Sequence, residues 1–187
     1  QDNNTDQLTG EVEIDETYVG GKERNKHKSK RVNETGMNHK TPMVGLLQRN
    51  GKMVLRVIAA GTANGVTIKP IVREIVHKDA TIITDGFGAY KGLDKEFAGH
   101  GVVEHDKGDY VKGKFHTNNI EGFWGIMNRG IYGIYHQVSA KHLQRYCNEF
   151  GSRYNTRELT GVERFENAIK KVSDTRITYK TLINKQS

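Results

Sequence analysis

The feature that most constrains this chain is a short apolar run that ends in an acid, residues 80–90 with the sequence ATIITDGFGAY. Residues 81–84 are all β-branched, which predicts a buried strand, and the glycines at 86 and 88 end it. We therefore expect Asp85 just past the C-terminal end of a strand. In open α/β sheets that edge is where ligands bind. The alternative is that Asp85 only caps the following turn.

Two further acids lie in segments that could join Asp85. Residues 10–21, GEVEIDETYVGG, alternate apolar and acidic side chains before a double glycine, which predicts a strand carrying Asp15 near its end. Residues 116–130, HTNNIEGFWGIMNRG, show helical spacing. Glu121 and Asn118 lie at the edge of the apolar stripe. That stripe, predicted to be core, is Ile120, Phe123, Trp124, Met127 and Ile131.

The order of elements predicts how these acids meet. Residues 41–48 and 53–60 are β-rich and joined by a turn containing Asn50-Gly51, a strong hairpin signal. Residues 67–77 predict a helix with Thr67 as N-cap and Pro70 in the first turn. A further strand is expected at 101–104. The resulting order, βββαβαβα, is a mixed α/β fold.

A right-handed crossover through the first helix returns the chain parallel to its first strand. Asp15 and Asp85 are then expected side by side, with Glu121 facing them from the helix. Carboxylates so close require a cation, and oxygen ligands suit Mg²⁺ or Mn²⁺. Two such ions would support phosphodiester displacement. The alternative is three surface acids that never meet.

The rest of the chain predicts helices. Gly130 to Gly133 is expected to break the Glu121 helix, and Ser139 to cap a helix over 140–154, with another helix at 162–172. Cys147 is the single cysteine, which excludes an internal disulfide. It belongs to the predicted core stripe of the helix over 140–154. We expect residues 1–9 to be a linker, 10–157 one domain and 158–187 a helical extension.

Charge favours a polyanionic partner such as DNA. The chain carries 29 Lys and Arg against 22 Asp and Glu, a formal net charge of +7. Residues 22–31, KERNKHKSKR, are predicted to contact phosphates, the alternative being a loop that only improves solubility. No apolar run approaches the length of a membrane span, so we expect a cytoplasmic, DNA-associated protein. The candidate cations are Lys22, Arg24, Lys26, Lys28, Lys30 and Arg31.

Three segments, VEIDETYVGGK, ITDGFGAYKG and the run that starts HTNNIEGFWGIMNRG, resemble the catalytic domain of bacterial insertion-sequence DDE transposases. The resemblance covers about residues 10–157. It is to the branch whose third motif couples an Asn and a Glu with a Lys downstream. Asp15 and Asp85 match the two aspartates of that family and Glu121 its third acid. Asn118 matches the asparagine sometimes assigned in place of the glutamate.

The resemblance implies an RNase H-like fold of the retroviral integrase and transposase type. It also implies a site for two Mg²⁺ or Mn²⁺ ions at Asp15, Asp85 and Glu121. The implied activity is cutting and rejoining of double-stranded DNA at transposon ends and at a target, by a homo-oligomer assembled on DNA. A plain RNase H-like nuclease or resolvase, and a domesticated DNA-binding module without catalysis, remain alternatives.

One position departs from the family pattern. The downstream Lys of the family corresponds to Asn128, which a helix places within about 20° of Glu121, on the same face. Arg129 is adjacent but rotated by about 100°. The replacement leaves metal chemistry possible and keeps the alternative of a domesticated or decayed copy open. Asn128, Arg129 and Arg145 are the DNA-contact candidates in this part of the chain.

Overall fold

A computed structural model describes residues 7–21, 27–31, 40–103, 115–172 and 178. The chain divides into two compact units, Gln1–Asn155 and Thr156–Ser187. The predictions made for Lys22, Arg24 and Lys26 lie outside the described residues. In the described part of the chain, no helix combines the length and the apolar character that crossing a membrane requires.

A five-stranded mixed sheet forms the centre of the first unit, in the order β3-β2-β1-β4-β5. The first three strands are antiparallel neighbours, whereas β4 pairs parallel with both β1 and β5. This arrangement confirms the predicted mixed α/β fold and the parallel pairing of strands one and four. The strands are β1 (Glu11–Val19), β2 (Thr41–Gln48), β3 (Met53–Val57), β4 (Thr81–Asp85) and β5 (Gly99–Val103).

The crossover helix α1 (Gly65–Ile75) begins earlier than predicted. Asn64, not Thr67, is its N-cap, and the Asn64 carboxamide oxygen accepts from the backbone N–H groups of Val66 at 2.9 Å and Thr67 at 3.3 Å. Asparagine is among the strongest N-capping residues, ahead of threonine. Pro70 consequently lies in the helix interior and not in the first turn.

The link between β4 and β5 differs from the predicted order, which places a helix there. It contains two single turns of 3₁₀ helix, Gly88–Tyr90 and Leu93–Lys95. Gly92 separates them with a φ of 91°, a left-handed conformation that glycine adopts without strain and that ends the first turn. The strand β5 starts at Gly99, two residues before the predicted position.

Helices α2 (Asn118–Gly130) and α3 (Ala140–Asn155) pack on the opposite side of the sheet from α1. The predicted break at Gly130 to Gly133 is wrong, because the chain continues through a π-helical segment, Ile131–Tyr135. A Cβ at Gly130 would lie 2.3 Å from Phe150, so this glycine permits close packing of α3. The predicted apolar stripe of α2 is buried, as is Cys147.

Two apolar clusters hold the sheet between its helices. Cluster one, on the α1 side, includes Ile14, Ile82 and Leu8. Leu8 is 1% exposed and forms a bridge with Val76, so the packed chain extends two residues before Gly10. Cluster two, on the α2 side, includes Trp124 and Cys147. Side chains of β1 alternate between the clusters, and this alternation decides which acids face α2.

The second unit contains α4 (Gly161–Val172), close to the helix predicted at 162–172. A capping box starts it, in which the Glu163 carboxylate accepts from the Thr160 N–H at 2.8 Å and the Thr160 hydroxyl accepts from the Glu163 N–H at 3.3 Å. Because these two N–H groups gain partners, the helix begins where the sequence places a Thr-x-x-Glu pattern.

Candidate active site

Asp15 and Asp85 occupy neighbouring positions on adjacent strands. The parallel register pairs Ile14 with Thr84, so the next residue on each strand is an aspartate. Adjacent strands are about 4.8 Å apart, and residues in this register point to the same face. Asp85 is the last residue of β4, and its Oδ1 accepts from the Phe87 N–H at 3.0 Å. It therefore caps the following turn and also lies beside Asp15.

The indole of Trp124 contacts Asp15. Its Nε1–H donates to Asp15 Oδ2 at 2.9 Å, and Trp124 is 6% exposed. Gly45, the partner of Asp15 on β2, makes room for the indole, because a Cβ there would lie 2.7 Å from two ring carbons of Trp124. Asp15 on β1 and the middle of α2 are thus in direct contact.

Glu121 lies in the first turn of α2 and is exposed. The Thr117 hydroxyl donates to its Oε1 at 2.7 Å. Its charge contributes to raising the pKa of Asp15, so it lies within electrostatic reach of that residue. Among the residues that the structure describes, however, no three His, Cys, Asp or Glu side chains are arranged to hold one metal ion.

Burial and mutual repulsion change the acidity of this cluster. Burial, followed by the charges of Asp85 and Glu121, raises the pKa of Asp15 to about 6, against the opposing effect of the Trp124 hydrogen bond. Burial, with the charges of Asp85 and Asp15, raises the pKa of Glu16 to about 7, although the hydrogen bond from Tyr90 opposes the shift. The Tyr90 hydroxyl donates to Glu16 Oε2 at 2.6 Å.

Our sequence reasoning missed two acids that the structure places here. Glu16 follows Asp15 and points to the α1 side, where it meets Tyr90. Glu13 points to the α2 side and is 0% exposed. The alternation of β1 was the available signal: Glu13 and Asp15 share a face, and that face is the one that the helix covers.

The other predicted site residues are dispersed. Asn118 is the exposed first residue of α2, and Asn128 is half-buried two residues before the end of that helix. Arg129 on α2 and Arg145 on α3 are exposed. Lys28 and Arg31, at the two ends of a short 3₁₀ turn, are exposed as well. The side chain of Lys30 lies outside the described part. Arg129 is eight residues from Glu121, about 12 Å along a helix.

The donor chemistry at the sheet edge fits a divalent cation. In the described residues no Lys or Arg forms an ion pair with Asp15, Glu16 or Asp85, so no cation of the chain offsets their repulsion there. Mg²⁺ is commonly held by one or two carboxylates together with water and substrate phosphates. The aspartate pair supplies that number of ligands without Glu121.

Known proteins resemble this chain over most of its length. Residues 7–155 match the family described as the ISXO2-like transposase domain. An uncharacterized protein in the transposable element ISH50 of Halobacterium salinarum is 32% identical over 166 residues, covering 83% of this chain and 56% of the relative. An uncharacterized transposase-like protein of Haemophilus influenzae is 25% identical over 108 residues, covering 58% of this chain and 86% of the relative. The chain therefore spans little more than half of the Halobacterium protein.

The sheet order and the aspartate pair at the carboxyl end of β4 define a mixed α/β domain of the RNase H-like class. Because the family match covers residues 7–155, the chain belongs to the ISXO2-like transposase family. The resemblance found from the three sequence segments is thereby confirmed.

Proposed function

We propose that this chain is the catalytic domain of a DNA transposase that cleaves and rejoins DNA strands with the help of divalent metal ions. The observation that carries the proposal is the parallel register that pairs Ile14 with Thr84, because the next residues, Asp15 and Asp85, then lie side by side within electrostatic reach of Glu121. Family membership supports it, because the family is one of transposase domains.

The two aspartates would hold Mg²⁺ or Mn²⁺ between the sheet edge and the DNA backbone. Bound ions would offset charge on the attacking and leaving oxygens of an in-line phosphodiester displacement. Water attacks phosphorus first, and the bond from phosphorus to the 3′ oxygen breaks, which leaves a free 3′-OH. That hydroxyl then attacks phosphorus in a target phosphodiester and displaces the 3′ oxygen of the target strand, so one phosphodiester bond is exchanged for another without an external energy source.

The chain's own residues would position this chemistry. Asp15 accepts from the Trp124 N–H and Asp85 from the Phe87 N–H, and these hydrogen bonds would restrict the orientations of the two carboxylates around an ion. Exposed cations on the same unit, Lys28, Arg31, Arg129 and Arg145, would contact phosphates of transposon-end or target DNA. Work on two DNA ends would require a second copy of the chain.

Nicking of supercoiled plasmid DNA in Mn²⁺ tests the proposal. Asp85→Asn should reduce nicking to background while the circular dichroism spectrum stays native. The matched control is Asp79→Asn, which changes an exposed acid just before β4 and should nick like wild type. Nicking by Asp85→Asn at the wild-type rate would contradict the proposal.

A second assay separates transposition from simple hydrolysis. A duplex from the DNA that flanks the gene, pre-cut to expose a 3′-OH, is incubated with plasmid and Mn²⁺. A transposase joins the two, whereas a nuclease or resolvase only cuts the plasmid. A DNA-binding module without catalysis would bind both DNAs with a steep salt dependence and change neither.

A further inference from the structure

Glu13 is a fully buried carboxylate whose oxygens bind the start of α2. Its Oε2 accepts from the backbone N–H groups of Asn119 and Ile120, each at 3.1 Å, and its Oε1 accepts from the Asn119 side chain at 2.8 Å. The first N–H groups of a helix have no partner within the helix and carry its positive dipole end. A residue of β1 therefore caps α2 from outside the helix.

Arg49 ties the same carboxylate to the segment before α2. Its Nε donates to Glu13 Oε1 at 2.8 Å, and Nη2 donates to the carbonyl oxygen of His116 at 2.9 Å. A further donor, Nη1, reaches Glu11 Oε2 at 2.6 Å. The planar guanidinium fixes these directions together, because its donors form a rigid fork.

A second contact joins the same strand and helix farther along. Trp124 donates to Asp15, and its ring fits over Gly45. The two β1 residues in these contacts are two positions apart, about 6.6 Å along a strand. Their α2 partners Ile120 and Trp124 are four positions apart, about 6 Å along a helix. The two spacings match, and Glu121 lies between the two contacts.

We propose that Glu13 is a positioning residue which, together with Trp124, sets the position of α2 along β1 and so holds Glu121 beside the Asp15 and Asp85 pair. The expected effect of Glu13 on metal affinity rests on the proposed function, whereas its effect on the position of α2 is independent of that function.

A purely stabilising role would not require a carboxylate at this position. Burial of a charge removes its hydration, and a well-packed apolar side chain is often as good for stability or better. An apolar side chain would allow α2 to slide along β1, whereas charge-assisted hydrogen bonds to two successive N–H groups define one axial position. The contact pattern therefore indicates positioning.

The test uses Glu13→Gln in the 187-residue chain and follows Trp124, the single tryptophan, by its one indole N–H signal in a ¹⁵N correlation spectrum. Glutamine keeps one acceptor oxygen but turns an NH₂ group toward the N–H donors. We expect the indole signal to shift and to exchange faster with water in metal-free protein. We also expect Mn²⁺, titrated alone, to bind on the order of tenfold more weakly, as for other residues that orient metal ligands.

Val72→Ala is the control for lost stability, because it opens the α1-side cluster away from α2. It should lower the melting temperature while the indole signal and Mn²⁺ affinity stay at wild-type values. If Glu13→Gln behaves like Val72→Ala, the positioning role is refuted. If wild type fails to bind Mn²⁺ but the indole signal still shifts in Glu13→Gln, the proposed metal function fails and the positioning role stands.

A milder variant keeps the test decisive if Glu13→Gln does not fold. Asn119→Ala removes only the side-chain hydrogen bond and leaves the backbone N–H contacts. It should shift the indole signal less than Gly45→Ala, whose added Cβ collides with the ring directly. A wild-type indole signal in Asn119→Ala, alongside a shifted one in Gly45→Ala, would overturn the proposal.

Discussion

The strand acids and the helix acid of this site are held in different ways. Asp15 and Asp85 lie on paired strands, so the backbone register alone places them side by side. Glu121 lies on a helix whose position depends on side-chain contacts with Glu13 and Asp15. The sheet can therefore form an aspartate pair by itself. The third acid joins the pair only if α2 has the right position along β1.

The largest expected effect comes from disrupting the contacts of Glu13 and Arg49 that hold the start of α2. Arg49→Met removes the cation that faces Glu13 and should reduce the free energy of unfolding by about 3–5 kcal/mol, as when one member of a buried ion pair is lost. Arg49 and Glu13 side chains are 15% and 0% exposed. Urea unfolding followed by circular dichroism measures the loss.

The matched control is Arg73→Met, which removes an arginine that likewise donates its Nε to a carboxylate, here in a solvent-accessible pair with Glu96. Exposed pairs contribute little because water solvates both partners. The unfolding midpoint of Arg73→Met should stay close to that of wild type. Equal losses of unfolding free energy in the two variants would show that the hydrogen bonds of Arg49 to Glu13 and His116 do not hold α2 in place.

The raised pKa values of Asp15 and Glu16, both on β1, should make the stability of the protein depend on pH. Burial and repulsion raise the pKa of Asp15 from 3.8 to about 6 and that of Glu16 from 4.5 to about 7. The folded state therefore binds these protons more tightly than the unfolded state, and their contribution to stability is present at low pH and lost as pH rises to about 7. Each shift corresponds to roughly 3 kcal/mol at most.

Urea unfolding at intervals from pH 4.5 to 8 measures this effect. Glu16→Gln should flatten the decline relative to wild type, and added Mg²⁺ should do so if ions bind the aspartates. Glu96→Gln is the control: the Arg73 guanidinium lowers the pKa of Glu96 from 4.5, so this variant should leave the slope between pH 4.5 and 8 as in wild type. A wild-type profile in Glu16→Gln would show that this carboxyl is not protonated in the folded state near neutral pH.

The contrast between acids placed by strand register and an acid placed by side-chain contacts also explains which features could be predicted from the sequence. β-Branched runs and an Asn-Gly turn are local signals, so the strands and the parallel pairing behind Asp15 and Asp85 were predicted correctly. The 3₁₀ turns between β4 and β5 depend on the left-handed Gly92, and a π-helical segment replaces the predicted break after α2. Glu13 was missed because its donors are more than 30 residues away in sequence.

The smallest expected effect concerns the present orientation of Glu121. Its carboxylate accepts a hydrogen bond from Thr117, a contact worth about 0.5–1.5 kcal/mol. Thr117→Val removes the hydroxyl at nearly constant volume. If Glu121 must leave Thr117 to join the aspartates around an ion, Thr117→Val should bind Mn²⁺ roughly three- to tenfold more tightly. Titration calorimetry with Mn²⁺ measures the change.

A double-mutant cycle isolates the contribution of Glu121 to that change. In a Glu121→Gln background, Thr117→Val should leave the Mn²⁺ affinity unchanged, because the carboxylate that the hydroxyl restrains is gone. An equal gain in both backgrounds would assign the effect to Thr117 alone. No gain in either would mean that the aspartate pair binds its ion without the helix acid, and the site would then consist of two ligands fixed by strand register.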